Sequence, residues 1–261
     1  VTARTLILDI ETSAALYWGY GLFNQNHSID TIERQPGIIG WSTRWEDEPA
    51  KSVQWYDGPT LTGDTSNLPI LWEQLHEATH VMHFNGKTFD EPWVNHELIK
   101  YRVKGGRPYS PFRQIDLLKQ VKSRTRNISN KLDYVSRELF HLEGKIAVNA
   151  MTQWLKMYHA YQAGDEKAYE KARADMARYC NQDVNLLPKM KKKYLPWMSG
   201  INAGLYNGNP ESCPNCGSHR VTRRGYARTT VGNYQRYQCQ SCGTWSRGKR
   251  AAETTELRNI K

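Results

Sequence analysis

The sequence predicts an α/β protein, a mixed β-sheet with helices on its faces, followed by a small module organised around a metal ion. Three features lead there. Strand-like segments come first in a row, and the pattern then switches to alternating strand and helix. Near the C-terminus two Cys-x-x-Cys pairs stand in a short Arg-rich stretch. Leu6-Ile7-Leu8-Asp9-Ile10 reads as a buried first strand, and Ile38 to Trp45 and Ser52 to Tyr56 as the next two, in an antiparallel meander across the turn Glu46-Asp47-Glu48-Pro49. Gly58 to Pro69 reads as a surface loop. Leu68 to Ala78 has helical spacing, Thr79 to Phe84 a short strand, Pro92 to Tyr101 a helix, Arg113 to Leu118 a strand, and Lys131 to Leu139 a helix. A charged helix is expected from about Asp165, with Pro188 kinking or ending it because proline removes a backbone hydrogen bond. Asn207-Gly208-Asn209-Pro210 supplies a turn-rich boundary. The expected domains are therefore 1–198 for the α/β body, 199–210 for a linker, and 211–261 for the cysteine module with a basic tail.

A chain of 261 residues can bury one good core and still carry an appendage. No apolar run approaches the roughly 20 residues of a membrane helix, so no membrane partner is expected. The first strand follows Val1-Thr2-Ala3-Arg4 directly, which leaves no room for a signal peptide and points to the cytoplasm. The net charge of +10 is uneven. Residues 199–261 hold 10 Lys/Arg against 3 Asp/Glu, a balance of +7, while 1–198 hold +3. A basic module of this kind suits nucleic acid, because Lys and Arg displace the counterions of phosphates.

Three segments carry the candidate chemistry. In Asp9-Ile10-Glu11-Thr12 the two acids are i and i+2 on a strand and project from one face, where they repel unless a cation neutralises them. In Asn85-Gly86-Lys87-Thr88-Phe89-Asp90, Asn and Gly make a turn, Phe89 is expected to anchor it in the core, and Asp90 starts the next helix with Pro92 at an early helical position. An N-cap role would equally explain Asp90. In Tyr179-Cys180-Asn181-Gln182-Asp183 a phenol and a carboxylate at i, i+4 share one helix face. Each has a structural explanation of its own. Their order, Asp, Glu, Asp, Asp with a Tyr four residues before the last, is what suggests two-metal phosphodiester hydrolysis.

These segments resemble the three exonuclease motifs of the DEDD (DnaQ-like) superfamily of 3′–5′ exonucleases, and the Tyr places the chain with the DEDDy branch. The resemblance covers about residues 4–197 and implies a ribonuclease H-like fold. It is nearest to the exonuclease-like domains of phage proteins and of family B polymerase proofreading, here in a stand-alone nuclease. For a phage-encoded protein the location becomes the host cytoplasm. The resemblance implies that Asp9, Glu11 and Asp183 hold one Mg²⁺ or Mn²⁺, that Asp9 with Asp90 holds a second, and that Tyr179 orients the attacking water. Thr12, Asn85 and Phe89 become candidates for contact with the terminal nucleotide. Asp116 stands where related sequences carry an Asp, or caps a turn. Cys180 reads as a small buried residue.

Cys213-Pro214-Asn215-Cys216-Gly217 and Cys239-Gln240-Ser241-Cys242-Gly243 are two knuckles 22 residues apart. They can wrap one tetrahedral ion, each glycine supplying a left-handed turn. The pattern resembles a zinc ribbon, with Zn²⁺ structural because four thiolates leave no open position. Around it Arg223, Arg224, Arg236, Arg247, Lys249 and Arg250 alternate with Tyr226, Tyr234, Tyr237 and Trp245, which suits phosphate contact and base stacking on single strands. Tyr237 and Trp245 are equally suited to the ribbon's small core. The favoured function is a metal-dependent 3′–5′ exonuclease acting on single-stranded DNA or a 3′ end. The alternatives are an endonucleolytic or structure-specific nuclease, a non-catalytic nucleic-acid-binding protein, and a ribbon that docks a protein partner.

Overall fold

The computed structural model describes residues 3–21, 26–142, 150–206 and 208–254; the last residues of the basic tail, 255–261, lie outside them. In chain order the body holds β1 (Thr5–Thr12), β2 (Leu16–Tyr17), β3 (Ile32–Arg34), β4 (Ile38–Trp45), β5 (Gln54–Asp57), α1 (Pro59–Thr62), α2 (Leu68–Glu77), β6 (His80–His83), α3 (Asp90–Lys100), β7 (Arg113–Asp116), α4 (Leu117–Arg124), α5 (Leu132–Tyr134), α6 (Ala150–Gln162) and α7 (Glu166–Tyr194). The main sheet has the order β5-β4-β1-β6-β7. β1, β4 and β5 form the antiparallel meander, while β6 and β7 join parallel to β1 and to each other.

β1 is central because its sequence is apolar on both faces. Leu6, Leu8 and Ile10 pack with Trp41, Leu71, Leu75, Val94 and Leu98 on the side of α2 and α3. The opposite side packs Ile39, Leu61, Trp154, Met157, Ala172, Met176 and Tyr179. Asp9 and Glu11 are half-buried on β1, opposite Ser42 and Gly40 of β4.

Three expectations are corrected. Gly58 to Pro69 is no surface loop: it forms α1 and enters α2, with Pro59, Leu61 and Leu68 buried. Pro188 neither ends nor breaks α7, which continues to Tyr194. The buried Val184, Leu186 and Leu187 of the preceding turn outweigh the one backbone bond that proline removes. Phe89 is 41% exposed and does not anchor its turn. Unforeseen in the sequence were α4, the β2–β3 pair and α6, although Trp154, Met157 and Ala160 carry the spacing of a buried helix face.

The chain divides into two compact units, one of Arg4–Lys189 and one that takes in Met190 onward. In the second, β8 (Val221–Thr229), β9 (Gly232–Cys239) and β10 (Trp245–Glu253) form an antiparallel sheet of order β10-β9-β8. The buried Asn215 amide, inside the first knuckle, donates to the carbonyls of Leu195 (2.9 Å) and Met198 (2.8 Å). No described helix is long and apolar enough to cross a membrane.

Candidate active site and cysteine cluster

β1 outruns its parallel neighbour. β6 pairs only with Thr5 to Ile7, so the Ile10 amide lies beyond the end of that ladder. It is satisfied instead by Asp90, whose Oδ1 accepts it at 3.1 Å. Asp90 is thus no N-cap. It opens α3, is 4% exposed, and is fastened to the strand residue between Asp9 and Glu11.

The turn that delivers Asp90 is held by side chains from β6, β7 and the turn itself. Asn85 adopts φ of +74°, its N–H donates to Asp116 Oδ1 (3.1 Å), and its side-chain oxygen accepts from Thr88 Oγ1 (2.8 Å). Gly86 N–H donates to His83 Nδ1 at 2.9 Å. A neutral His83 follows, because the nitrogen that accepts carries no proton, and burial drives its pKa down to about 4. The 4.0 Å approach of His83 Nδ1 to Asp116 Oδ2 is therefore no ion pair. Asp116 caps α4 by accepting from Lys119 N–H (3.2 Å), as expected of a turn-capping acid.

A Cβ on Gly86 would meet the His83 ring at 2.4 Å. Gly86→Ala should therefore lower stability by about 1–3 kcal/mol through overpacking and slow cleavage by displacing Asp90. Thermal melting and turnover test it; a variant with wild-type values in both would show that the turn does not position Asp90.

α7 is held over the opposite face of the sheet by polar ties. Arg173 grips Asp57 at the end of β5 with two hydrogen bonds (2.7 and 2.5 Å), and Ser42 Oγ donates to Asn181 Oδ1 at 2.8 Å. Cys180, fully buried, places Sγ 3.3 Å from Asp9 Oδ2 and 3.4 Å from Asp9 O. Burial, followed by the charges of Asp9 and Glu11, pushes its thiol well above the ordinary value, so it stays protonated and donates.

Ligand atoms of Asp9, Glu11 and Cys180 lie within 4.8 Å of one another. Asp90 reaches this group through the Ile10 amide, and Asp183, 2% exposed, lies one turn beyond Cys180 on the same helix. Tyr179 is buried among Ile39, Trp154 and Met176. Thr12 ends β1 after a register shift, half-buried, while Asn85 and Phe89 are exposed beside Asp90. In sequence terms Cys180 is only a small packing residue. Its position one residue after Tyr179, within the same helical turn as the site face, was the available signal.

Burial raises the Asp90 pKa to about 7, with the nearby Asp116 adding and the Ile10 N–H opposing. A buried carboxylate that costs this much to ionise, with Asp116 acting on it, fits a divalent cation. The sign of the pH effect follows. In the unfolded chain Asp90 ionises near its ordinary 3.8, and in the fold only near 7, so stability falls as pH rises between those values and stays reduced above them. In buffer free of divalent cations, Asp90→Asn should raise the melting temperature more at pH 8 than at pH 5. An equal shift at both would remove the charge cost from Asp90.

In the second unit, Cys213 and Cys242 Sγ atoms are 3.6 Å apart and those of Cys216 and Cys239 3.7 Å. These are too long for a disulfide and match the edge of a tetrahedron with Zn–S of about 2.3 Å, about 3.8 Å. Gly217 and Gly243 have φ of +73° and +77° and donate to Cys213 O and Cys239 O, closing each knuckle. The four cysteines fit a zinc site. Trp245 is half-exposed, which removes it from the ribbon's core. Arg223 and Arg224 are exposed on β8, whereas Arg236 Nε donates to Arg224 O at 2.8 Å.

A ribonuclease H superfamily profile matches residues 6–195. Among solved structures, the family B DNA polymerase of the hyperthermophilic archaeon Pyrobaculum calidifontis is similar, with a TM-score of 0.51 and 15% identity. The match covers 79% of this chain and 26% of the polymerase, so this chain spans about a quarter of that protein's length. At such identity the likeness is one of fold. Comparison with curated proteins finds no match. A nuclease-type function on nucleic acid is supported by the profile together with the acids that β1 and α3 bring together. With the profile spanning most of the chain and the mixed sheet around β1 in place, the chain belongs to the ribonuclease H superfamily.

Proposed function

We propose that the chain is a metal-dependent 3′–5′ exonuclease of the DEDDy type, acting on single-stranded DNA, with a zinc ribbon that assists nucleic-acid binding. The observation that carries it is the convergence at the end of β1. Asp9 and Glu11 leave one strand side by side, Asp90 is tied to the amide between them, and α7 brings Cys180 against Asp9, with Tyr179 and Asp183 on the adjoining positions of that helix.

Asp9, Glu11, Asp90 and Asp183 would hold two Mg²⁺ or Mn²⁺ ions, because hard cations take carboxylate oxygens. Bound there, the ions would supply an activated water and neutralise charge on the departing 3′ oxygen. The chain does the rest. The Ile10 amide fixes the Asp90 carboxylate, Cys180 fixes that of Asp9, and Asn85 with the exposed Phe89 offers a polar and a flat surface to the terminal nucleotide. The Tyr179 hydroxyl orients the water for in-line attack. Tyr179→Phe should thus slow turnover without lowering the melting temperature, and full turnover in that variant would remove the hydroxyl from the mechanism.

The deciding experiment is digestion of 5′-labelled single-stranded DNA and RNA with Mg²⁺ or Mn²⁺. A ladder shortening from the 3′ end supports the proposal and shows which sugar is preferred. Internal fragments would transfer the reading to an endonuclease, and intact substrate with retained binding to a non-catalytic binder.

A further inference from the structure

The ribbon sheet carries an arrangement that its zinc site does not explain. In the β9–β10 ladder Arg236 stands directly opposite Arg247, and Trp245 opposite Gln238. Across the diagonals, the Arg236 guanidinium lies 4.7 Å from the Trp245 ring centroid, and that of Arg247 4.0 Å from the Tyr234 ring. One face therefore presents a ladder of two aromatic rings and two guanidinium planes. Arg236, Arg247 and Trp245 are exposed, and among the described residues neither arginine forms an ion pair. Like charges directly opposite on a sheet are destabilising, so this pair weakens the ribbon unless an anion comes between them. Each guanidinium lies against an aromatic ring and is still exposed. β10 is an edge strand, and Arg247, Lys249 and Arg250 follow one another along it, the last two exposed like the first.

We propose that this face is a base-stacking platform for single-stranded nucleic acid: bases stack on Trp245, Tyr234 and the exposed guanidinium groups, and the phosphodiester backbone follows Arg247, Lys249 and Arg250 along β10. The charge of the face selects a polyanion, and its flat rings select unpaired bases, since stacking needs a face that a duplex keeps covered. A wholly electrostatic patch would need no aromatic ladder. The proposal deepens the reading of the ribbon as a nucleic-acid-binding module and rests on it. It assigns base contact to Trp245 and Tyr234, and it makes Arg236, which the sequence suggests for direct substrate contact, a platform member held on Trp245.

The test is fluorescence anisotropy with the full-length zinc-loaded protein in an Asp183→Ala background, so that the probe survives. The probes are labelled dT12 and a 12-unit abasic oligonucleotide with the same phosphates. Trp245→Ala should weaken dT12 binding about tenfold, the scale of one lost stacking contact, and leave abasic binding unchanged. Arg247→Ala should weaken both and lower the salt slope by about 1. Zinc content controls for folding. Should Trp245→Ala lose zinc, Trp245→Phe and Trp245→Leu decide, with Phe binding dT12 near the parent level and Leu weakly. Unchanged dT12 binding in Trp245→Ala, an equal loss on both probes, or equal binding by Phe and Leu would each overturn the platform. Cleavage of dT12 by the protein with Asp183 intact is read separately. Cleavage with a silent Trp245 sinks the platform and leaves the nuclease standing, and a stacking effect without cleavage does the reverse.

Discussion

Asp183→Ala and Asp9→Ala are each expected to reduce cleavage by about 10³-fold or more while leaving the fold and oligonucleotide binding in place. The size follows from the charges that must be neutralised. If losing one carboxylate ligand forfeits about 4 kcal/mol of transition-state stabilisation, the rate falls about a thousandfold. The two variants approach the site from different elements, Asp9 from the central strand and Asp183 from α7, so agreement between them tests the convergence and not one side chain. Asp9 also accepts from Cys180 Sγ, so Asp9→Ala removes a packing tie between β1 and α7 as well. Cys180→Ser serves as the control: it keeps a small donor against Asp9, and it should retain most of the activity. Rates on 5′-labelled single-stranded DNA, with circular dichroism to confirm folding, give the answer. Turnover within a few fold of wild type in Asp183→Ala would defeat the assignment of the site.

Most of the body was legible because its signals are local. β4 spans Ile38–Trp45 as its apolar run indicates, and β1 follows from the Leu-Ile-Leu run before Asp9. The two acids one residue apart on a strand had to share a face. Illegible was whatever depends on a distant partner. Asp90 looked equally like an N-cap because the Ile10 amide that it accepts is 80 residues away in sequence. Phe89 looked like an anchor because a lone aromatic usually is one, but the Gly86–His83 and Asn85–Asp116 bonds already hold that turn. Cys180 looked like filler because its closeness to Asp9 exists only once α7 crosses β1. Pro188 did not end the helix, because buried side chains in the turn before it carry α7 past the lost backbone bond to Tyr194. In the ribbon, Cys-x-x-Cys-Gly fixed the knuckles through backbone geometry, but which aromatics face solvent depends on strand register, which the spacing of Arg and Tyr does not encode.

Removing the metal from the cysteine cluster should unfold the ribbon and leave the body standing. Among the described residues, the buried apolar side chains from Met190 onward are few: Met190, Tyr194, Met198 and Ile201, beside the thiols Cys213 and Cys239. None of them belongs to the three-stranded sheet except Cys239, and its Trp245 and Tyr226 are half-exposed. A sheet without an apolar layer of its own needs another source of cohesion, and a structural zinc supplies about 10–16 kcal/mol in apparent terms. That is as large as the whole stability of a typical domain. Cys239→Ser, or extraction of the metal with a chelator, is therefore expected to abolish amide-exchange protection across β8–β10, while β1, β4 and β6 keep theirs. Zinc content should fall from one ion per chain to none. The pH effect runs with the thiols. Without metal, burial and the neighbouring Cys242 push Cys213 up to about 11, so binding must expel protons, and affinity for zinc should weaken as pH falls. Protected β8–β10 amides in a zinc-free protein would show that the strands hold without the ion, and the cluster would then be something other than the ribbon's structural centre.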